Sequence, residues 1–289
     1  MTLPNFLIIG AKKCGTTSLY HYLNSHPDIY MPSIKETRYF AFDPGRESHR
    51  RDRKRAFPIR TLKEYERLFE RASTESAIGE VSPQYLRSPV APENIAKTLS
   101  EDVKLIAILR NPVDRAYSEY LMKVRSGNES RPAEWYLSRP EHLEFGRYGE
   151  QLERYFRMFP VNNIKVVLTE ELRDNAQLVL CELFRFLGVE ESIQIDTTKR
   201  FNEGGLPRNP LFHRVIQVRN KRIRNVVKPF VPTTLRDMRN KLKRKNMRPA
   251  PPLDPDLRAR VHEYYADDIS RLERLIGRDL GIWRDAVNA

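Results

Sequence analysis

The sequence predicts an α/β fold, a parallel sheet of about four to five strands with helices on both faces and a P-loop-like site. Three observations lead there. Short apolar runs at Phe6–Ile9, at the start of Ala77–Leu86, at Val103–Leu109 and at Ile164–Leu168 have the length and composition of buried strands. Segments of helical spacing separate them, and strand–helix–strand crossovers in one sheet close with a right hand. The turns after the first and third runs hold glycine, hydroxyl and basic residues, where an open parallel sheet carries its ligand site.

The first of those turns organises the rest. Gly10 ends the opening run, Lys12-Lys13-Cys14-Gly15-Thr16-Thr17-Ser18 follows, and a helix reads through Leu19, Tyr20, Tyr22 and Leu23 to Ser25. Strand, glycine-containing loop and helix start in that order aim backbone N–H groups and a helix dipole at one spot and favour an anion there. The nucleoside-triphosphate loop G-x-x-x-x-G-K-[ST] would need lysine after its second glycine. Here Gly10 and Gly15 keep the spacing, but Thr16 takes the lysine position and the lysines come earlier. That arrangement sets a cation against a phosphate and its outer substituent and implies no metal. Cys14 reads as a small filler. The two cysteines do not suggest a disulfide framework, and the six histidines lack metal-ligand spacing.

Lys13-Cys14-Gly15-Thr16-Thr17 after an apolar strand resembles the 5′-phosphosulfate loop of sulfotransferases that use 3′-phosphoadenosine 5′-phosphosulfate (PAPS). The branch it resembles is the heparan-sulfate sulfotransferase-like domain with its bacterial relatives. The resemblance implies that Lys12, Lys13, Cys14, Gly15, Thr16, Thr17 and Ser18 bind the donor, with Lys13 neutralising charge as adenosine 3′,5′-bisphosphate (PAP) leaves. His26-Pro27-Asp28 stops the first helix, because the residue before proline avoids helix. In Lys35-Glu36-Thr37-Arg38-Tyr39-Phe40, Glu36 matches the family's proposed general base, Arg38 replaces its histidine, and Tyr39-Phe40 keep its aromatic pair. A carboxylate suits the task, since a hydroxyl or amine must lose a proton as it attacks sulfur. Arg38 is placed on the acceptor side.

Residues 43–60 are charged and aperiodic, a lid over the acceptor or a plain solvated loop. Thr61–Ala72 has helical spacing, with Leu62, Tyr65, Leu68 and Phe69 on one face. The strand from Ala77 runs into Glu80-Val81-Ser82-Pro83-Gln84-Tyr85, similar to a family segment that often carries lysine where Val81 stands; Glu80 and Ser82 are its candidate acceptor-side groups. After Val103–Leu109, Asn111 caps a helix whose first residue is Pro112. Arg110, Asn111, Pro112, Arg115 and Ser118 resemble the family's 3′-phosphate site. Arginine can hold that phosphate in a bidentate fork while a hydroxyl completes the shell.

A helix over Gly149–Phe159 presents Leu152, Tyr155, Phe156 and Phe159; Thr169–Leu172 reads as a turn; a helix over Asn175–Leu187, ended by Gly188, presents Leu178, Cys181, Leu183, Phe184 and Leu187. Related enzymes close a basic glycine-containing loop over the cofactor, and by resemblance Gly204, Gly205 and Arg208 lie in it. Pro249–Leu253 is a linker, Asp254 opens a long helix stopped by Gly277, and Trp283 in a family-like ending is a packing anchor.

Charge is localised. The chain carries 51 Lys and Arg against 38 Asp and Glu; Arg208–Arg248 holds 14 of the former and one of the latter, Asp237, so the remainder balances at 37 against 37. Apolar residues interleave with this charge in the pattern of two basic amphipathic helices, suited to an anionic membrane surface or a polyanionic glycan. No nucleic-acid partner is expected, because no nucleic-acid-binding motif accompanies the charge.

At 289 residues the chain reads as a single domain, with an α/β core over 1–208, a basic helical segment over 209–248, and linker plus final helix over 249–289. The opening apolar run is too short and lacks the basic flank of a signal peptide, and no stretch reaches the ~20 apolar residues of a membrane span. The expected location is cytoplasmic, with peripheral attachment at the inner membrane face through the basic segment. The expected reaction moves a sulfonyl group from PAPS to a hydroxyl or amine of a glycan or glycolipid. Two alternatives remain: a P-loop kinase, opposed by Thr16 and by the lack of a strand ending in a Mg²⁺-binding Asp, and a membrane- or polyanion-binding protein, which leaves both phosphate motifs unexplained.

Overall fold

The computed structural model describes residues 2–43, 45, 57–198, 205–208 and 246–285. In chain order the elements are β1 (Phe6–Gly10), α1 (Thr16–Leu23), β2 (Ile29–Tyr30), α2 (Leu62–Glu66), β3 (Ala77–Val81), α3 (Ala91–Thr98), β4 (Lys104–Leu109), α4 (Pro112–Arg125), α5 (Ala133–Leu137), α6 (Pro140–Leu143), α7 (Tyr148–Phe156), β5 (Ile164–Leu168), α8 (Thr169–Asp174), α9 (Ala176–Leu187), β6 (Leu206–Pro207), β7 (Met247–Arg248), α10 (Pro255–Ile276) and α11 (Gly281–Asp285). Strands β2-β3-β1-β4-β5 form one parallel sheet in that order. From central β1 the chain builds β2 and β3 on one side, then β4 and β5 on the other. The carboxyl end of β1 therefore lies at the topological switch point.

The strands form because both sheet faces are covered. Phe6, Leu7, Ile8 and Ile9 are fully buried, as are Leu105 through Leu109. Removing that apolar surface from water supplies about 25 cal/mol per Å². Gly79 is required beside β1, since a Cβ there would lie 2.3 Å from the Phe6 ring. The helix ends follow their local signals. The Asn111 side chain accepts from the N–H groups of Val113 and Asp114 at the start of α4, and that of Asp254 from Leu257 N at the start of α10. Gly188 and Gly277 end α9 and α10 in the left-handed conformation. Trp283 is fully buried, and its carbonyl accepts from Asn111 Nδ2 at 3.0 Å, tying the chain end to the turn after β4.

Several expectations need correction. Residues 169–172 belong to helix α8, not a turn; the Glu171 carboxylate accepts from Leu168 N at its start, and Thr169 is held by groups distant in sequence. The helix expected over Thr61–Ala72 closes as α2 and a 3₁₀ turn at Arg67–Phe69, which leaves Leu62 exposed. In α9 the buried stripe runs through Val179, Leu180, Leu183, Phe184 and Leu187, while Leu178 is 55% exposed. Most of the expected lid over 43–60, the two basic helices at 211–245 and Gly204 lie outside the described residues. The segments flanking 209–245 meet: β6 and β7 pair antiparallel, and Arg208 N donates to Asn246 O at 2.6 Å.

Candidate functional site

The phosphate loop sits between β1 and α1 because neighbouring strands clamp it. Ala11 N donates to Ile108 O of β4 at 2.7 Å, and Thr169 Oγ1 lies 2.7 Å from Cys14 O and 2.8 Å from Leu109 O. Gly15 has φ 90, a conformation open to glycine at little cost, and it precedes the first residue of α1. Cys14 is the expected filler: it is fully buried 3.4 Å from Tyr148 OH, and burial raises its pKa to about 11, so it stays a thiol.

The two loop lysines have different surroundings. Lys12 Nζ donates to Glu119 Oε1 at 2.9 Å, and the other oxygen of Glu119 accepts from the fully buried Arg115 at 2.6 Å. Arg115 thus braces the loop from below. Lys13, at φ 73, points elsewhere; its Nζ lies 3.8 Å from Met122 Sδ. Burial, followed by repulsion from Arg125 and Lys12, lowers the pKa of Lys13. A cation held so close to other cations fits a site whose ligand is an anion.

That ligand space is a cavity of about 730 Å³ at the carboxyl ends of β1 and β4. Lys12, Lys13, Gly15, Thr16 and Thr17 line one side, and Arg110, Ser118 and Arg125 of α4 and its preceding turn line another. Both predicted phosphate motifs therefore meet in one space. A neighbouring cavity of about 940 Å³ shares Gly15, Arg110, Asp114 and Thr169 with it and adds Ser18, Tyr22 and Thr197. Ser18 thus faces away from Thr16 and Thr17. Gly205 (φ 127) lines the 730 Å³ cavity at the base of the β6–β7 ribbon, where a Cβ would lie 2.6 Å from Arg248 O. Arg208 is exposed on that ribbon and does not line the cavity.

Glu36 lines the same cavity, opposite α4. Glu36 and Arg38 both have φ 58, so the chain makes a tight left-handed turn here. The Glu36 carboxylate accepts from Gln84 Nε2 at 3.1 Å and Arg38 Nη2 at 3.3 Å, and its backbone N–H donates to Val81 O. Beneath the turn lies a buried network. Glu80 accepts from Tyr85 OH at 2.5 Å, Ser82 Oγ at 2.9 Å, Thr37 Oγ1 at 3.1 Å and Tyr65 OH at 3.3 Å, while Arg38 N donates to Ser82 Oγ at 3.1 Å. Glu80 and Ser82 are 1% and 0% exposed and do not line the cavity, which corrects their placement as acceptor-contacting groups. They frame the turn that carries Glu36.

Sequence reasoning missed four contributors. Thr169 clamps the loop, Glu119 holds Lys12, Arg125 adds charge, and Lys35 Nζ donates to Thr17 Oγ1 at 3.0 Å. Lys35 stands in the segment that carries Glu36, and Glu119 lies four residues after Arg115 on one helix face; nothing in the sequence marks Thr169 or Arg125. Among the described residues, no group of three or more His, Cys, Asp and Glu is arranged to hold a metal, and no helix is long and apolar enough to cross a membrane.

Comparison with known proteins agrees with this geometry. The sulfotransferase domain family matches residues 3–203. Bifunctional heparan sulfate N-deacetylase/N-sulfotransferase 3 of Homo sapiens is 28% identical over 97% of this chain, which spans 31% of that protein's length. Membrane-associated sulfotransferase kil1 of Dictyostelium discoideum is 33% identical over 50% of this chain and 28% of its own. A crystal structure of a sulfotransferase from Alicyclobacillus acidocaldarius superposes with a TM-score of 0.74 at 30% identity, covering 98% of this chain and 100% of that one. With the phosphate loop, the strand order and the length of the match in accord, the chain belongs to the PAPS-dependent sulfotransferases, in their heparan-sulfate sulfotransferase-like branch.

Proposed function

We propose that this enzyme transfers the sulfonyl group of PAPS to a hydroxyl or amine of a glycan acceptor, with Glu36 as base and Lys13 as the cation on the donor. The observation that carries the reading is the 730 Å³ cavity in which Lys13, Arg110, Ser118 and Glu36 converge. The residues suit the donor: backbone N–H groups near Gly15 and Thr16, with the Thr16 and Thr17 hydroxyls, take its 5′-phosphate, and Arg110 with Ser118 takes its 3′-phosphate. The adjoining cavity at Ser18, Tyr22 and Thr197 is where the nucleoside extends.

In the reaction a bond forms from the acceptor oxygen or nitrogen to sulfur, and the bond from sulfur to the 5′-phosphate oxygen breaks. Lys13 stabilises the charge gathering on that oxygen, and Glu36 accepts the acceptor's proton. The chain's contribution is positioning and electrostatics. The likeness to a heparan sulfate N-sulfotransferase supports a glycan acceptor. A glycolipid acceptor or an anionic membrane surface is the reading favoured by the net charge of residues 208–248; it is tested by vesicle sedimentation, where equal binding to neutral and anionic vesicles removes it.

Calorimetric titration tests the donor assignment. PAP should bind at least about tenfold more tightly than adenosine 5′-monophosphate or ATP, and Arg110→Ala should weaken PAP by about 10- to 100-fold, the worth of charge-assisted bonds to one phosphate. Equal binding of all three nucleotides overturns the assignment.

A further inference from the structure

The turn that carries Glu36 also delivers a cation to the first turn of α1. Lys35 Nζ donates to Thr17 Oγ1 at 3.0 Å. The same ammonium lies 5.0 Å from the centroid of the Tyr20 ring, three residues further along α1. Tyr20 OH in turn donates to Pro32 O at 3.0 Å, which ties the chain just before Lys35 to that helix. On the other side, the next residue, Glu36, is left-handed at φ 58, and its N–H donates to Val81 O at 2.9 Å. Lys35 is therefore fixed from both ends. It is half-buried and stands behind the 730 Å³ cavity, which Thr17 lines and Lys35 does not.

The direction of this hydrogen bond decides what Thr17 can do. An ammonium has three donors and no acceptor, so the Thr17 oxygen accepts from it. The single proton of that hydroxyl is left for another acceptor, and among the described residues none takes it. A hydroxyl that accepts from a cation is polarised and gives a stronger hydrogen bond in its turn. Burial lowers the Lys35 pKa, and the adjacent Glu36 charge opposes this and favours the ammonium.

We propose that Lys35 is a positioning residue for the donor, which turns the Thr17 hydroxyl into a fixed, polarised hydrogen-bond donor aimed at the 5′-phosphate. The inference rests on the PAPS reading of the cavity and adds a residue that acts through Thr17 and does not itself touch the nucleotide. It predicts that Lys35 matters to donor binding only while the Thr17 hydroxyl is present.

The test is a double-mutant cycle read by calorimetric titration with PAP, on the full chain, Lys35→Met, Thr17→Val and the two combined. Methionine keeps an unbranched stem beside Tyr20 and removes the donor. In the parent, Lys35→Met should weaken PAP by about 3- to 10-fold, the worth of one hydrogen bond. In the Thr17→Val background the same change should cost less than about twofold, because the hydroxyl it orients is gone. An ammonium acting by charge alone would cost the same in both backgrounds. Lys35→Arg returns cationic donors and should recover PAP affinity to within about twofold of the parent. Unchanged PAP affinity in Lys35→Met, an equal loss in both backgrounds, or Lys35→Arg as weak as Lys35→Met overturns the positioning role alone. Failure of the parent chain to bind PAP overturns the donor reading and the inference with it.

Discussion

Two carboxylates brace the two halves of the site, and they are held in opposite ways. Under the donor half, Glu119 is placed between Arg115 and Lys12. Those cations hold its pKa down to about 2 in spite of burial. Under the acceptor half, Glu80 is surrounded by the hydroxyls of Tyr85, Ser82, Thr37 and Tyr65, with no cation among them, and burial raises its pKa. In the proposed reading the donor half presents fixed positive charge to a polyanion; its brace is ionic, with Glu119 pairing Lys12, and among the described residues Lys13 has no ion pair with a carboxylate. The proposed acceptor half holds a left-handed turn and the proposed base, Glu36. Its brace fixes backbone geometry through hydroxyls, and the cation beside Glu36 is Arg38 of the turn itself.

If the halves are separable in this way, the largest effect comes from the proposed base. Glu36→Gln should lower kcat by about 100- to 10,000-fold while PAP affinity stays within about twofold. Near-normal turnover would remove Glu36 as the base, and a parallel loss of PAP binding would break the separation itself. Next in size, Glu119→Gln leaves buried Arg115 without its ionic partner and should destabilise the chain by about 3–5 kcal/mol in urea unfolding. By contrast, Glu80→Gln keeps a neutral acceptor among hydroxyls and should lose only about 1–2 kcal/mol. Similar losses in the two variants would mean that the braces do not differ in kind.

A further effect concerns pH. Glu119 has a folded pKa of about 2 against an ordinary 4.5, so its stabilisation is complete above the unfolded value and is lost as pH falls through that window, about 3 kcal/mol in all. Glu80 has the opposite sign: its raised folded pKa makes its contribution greatest below the ordinary value and lost as pH rises through the folded one. Unfolding midpoints between pH about 3 and about 7 should therefore flatten on the acid side in Glu119→Gln and rise toward neutral pH in Glu80→Gln, each relative to the parent chain. Slopes of the same sign in both variants would refute the comparison.

The donor half was legible because its chemistry is contiguous. Lys13 to Thr17 lie on one loop and Arg110 to Ser118 on one strand end and helix, so their spacing alone placed both at the carboxyl ends of strands. The acceptor half was only partly legible. Glu36 stood out by its neighbours, but Glu80 and Ser82 looked like acceptor contacts because strand alternation does not reveal that Tyr65 and Thr37 close over them. Leu178 and residues 169–172 misled for a similar reason: a helix's buried face and a short helix's existence depend on what packs against them.

By itself the sequence determined four of the five strands of the parallel sheet, the phosphate loop with its two lysines, the cap at Asn111, the helix start at Asp254, and the family, since each is written in residues close together along the chain. Only the tertiary structure decided how the two lysines are partnered. Lys12 and Lys13 are adjacent and chemically identical, and what separates them is Glu119 on α4, which approaches Lys12 because β1 and β4 lie side by side in the sheet. Local sequence can specify a cation, but whether that cation is spent in an ion pair depends on the charge that folding brings beside it.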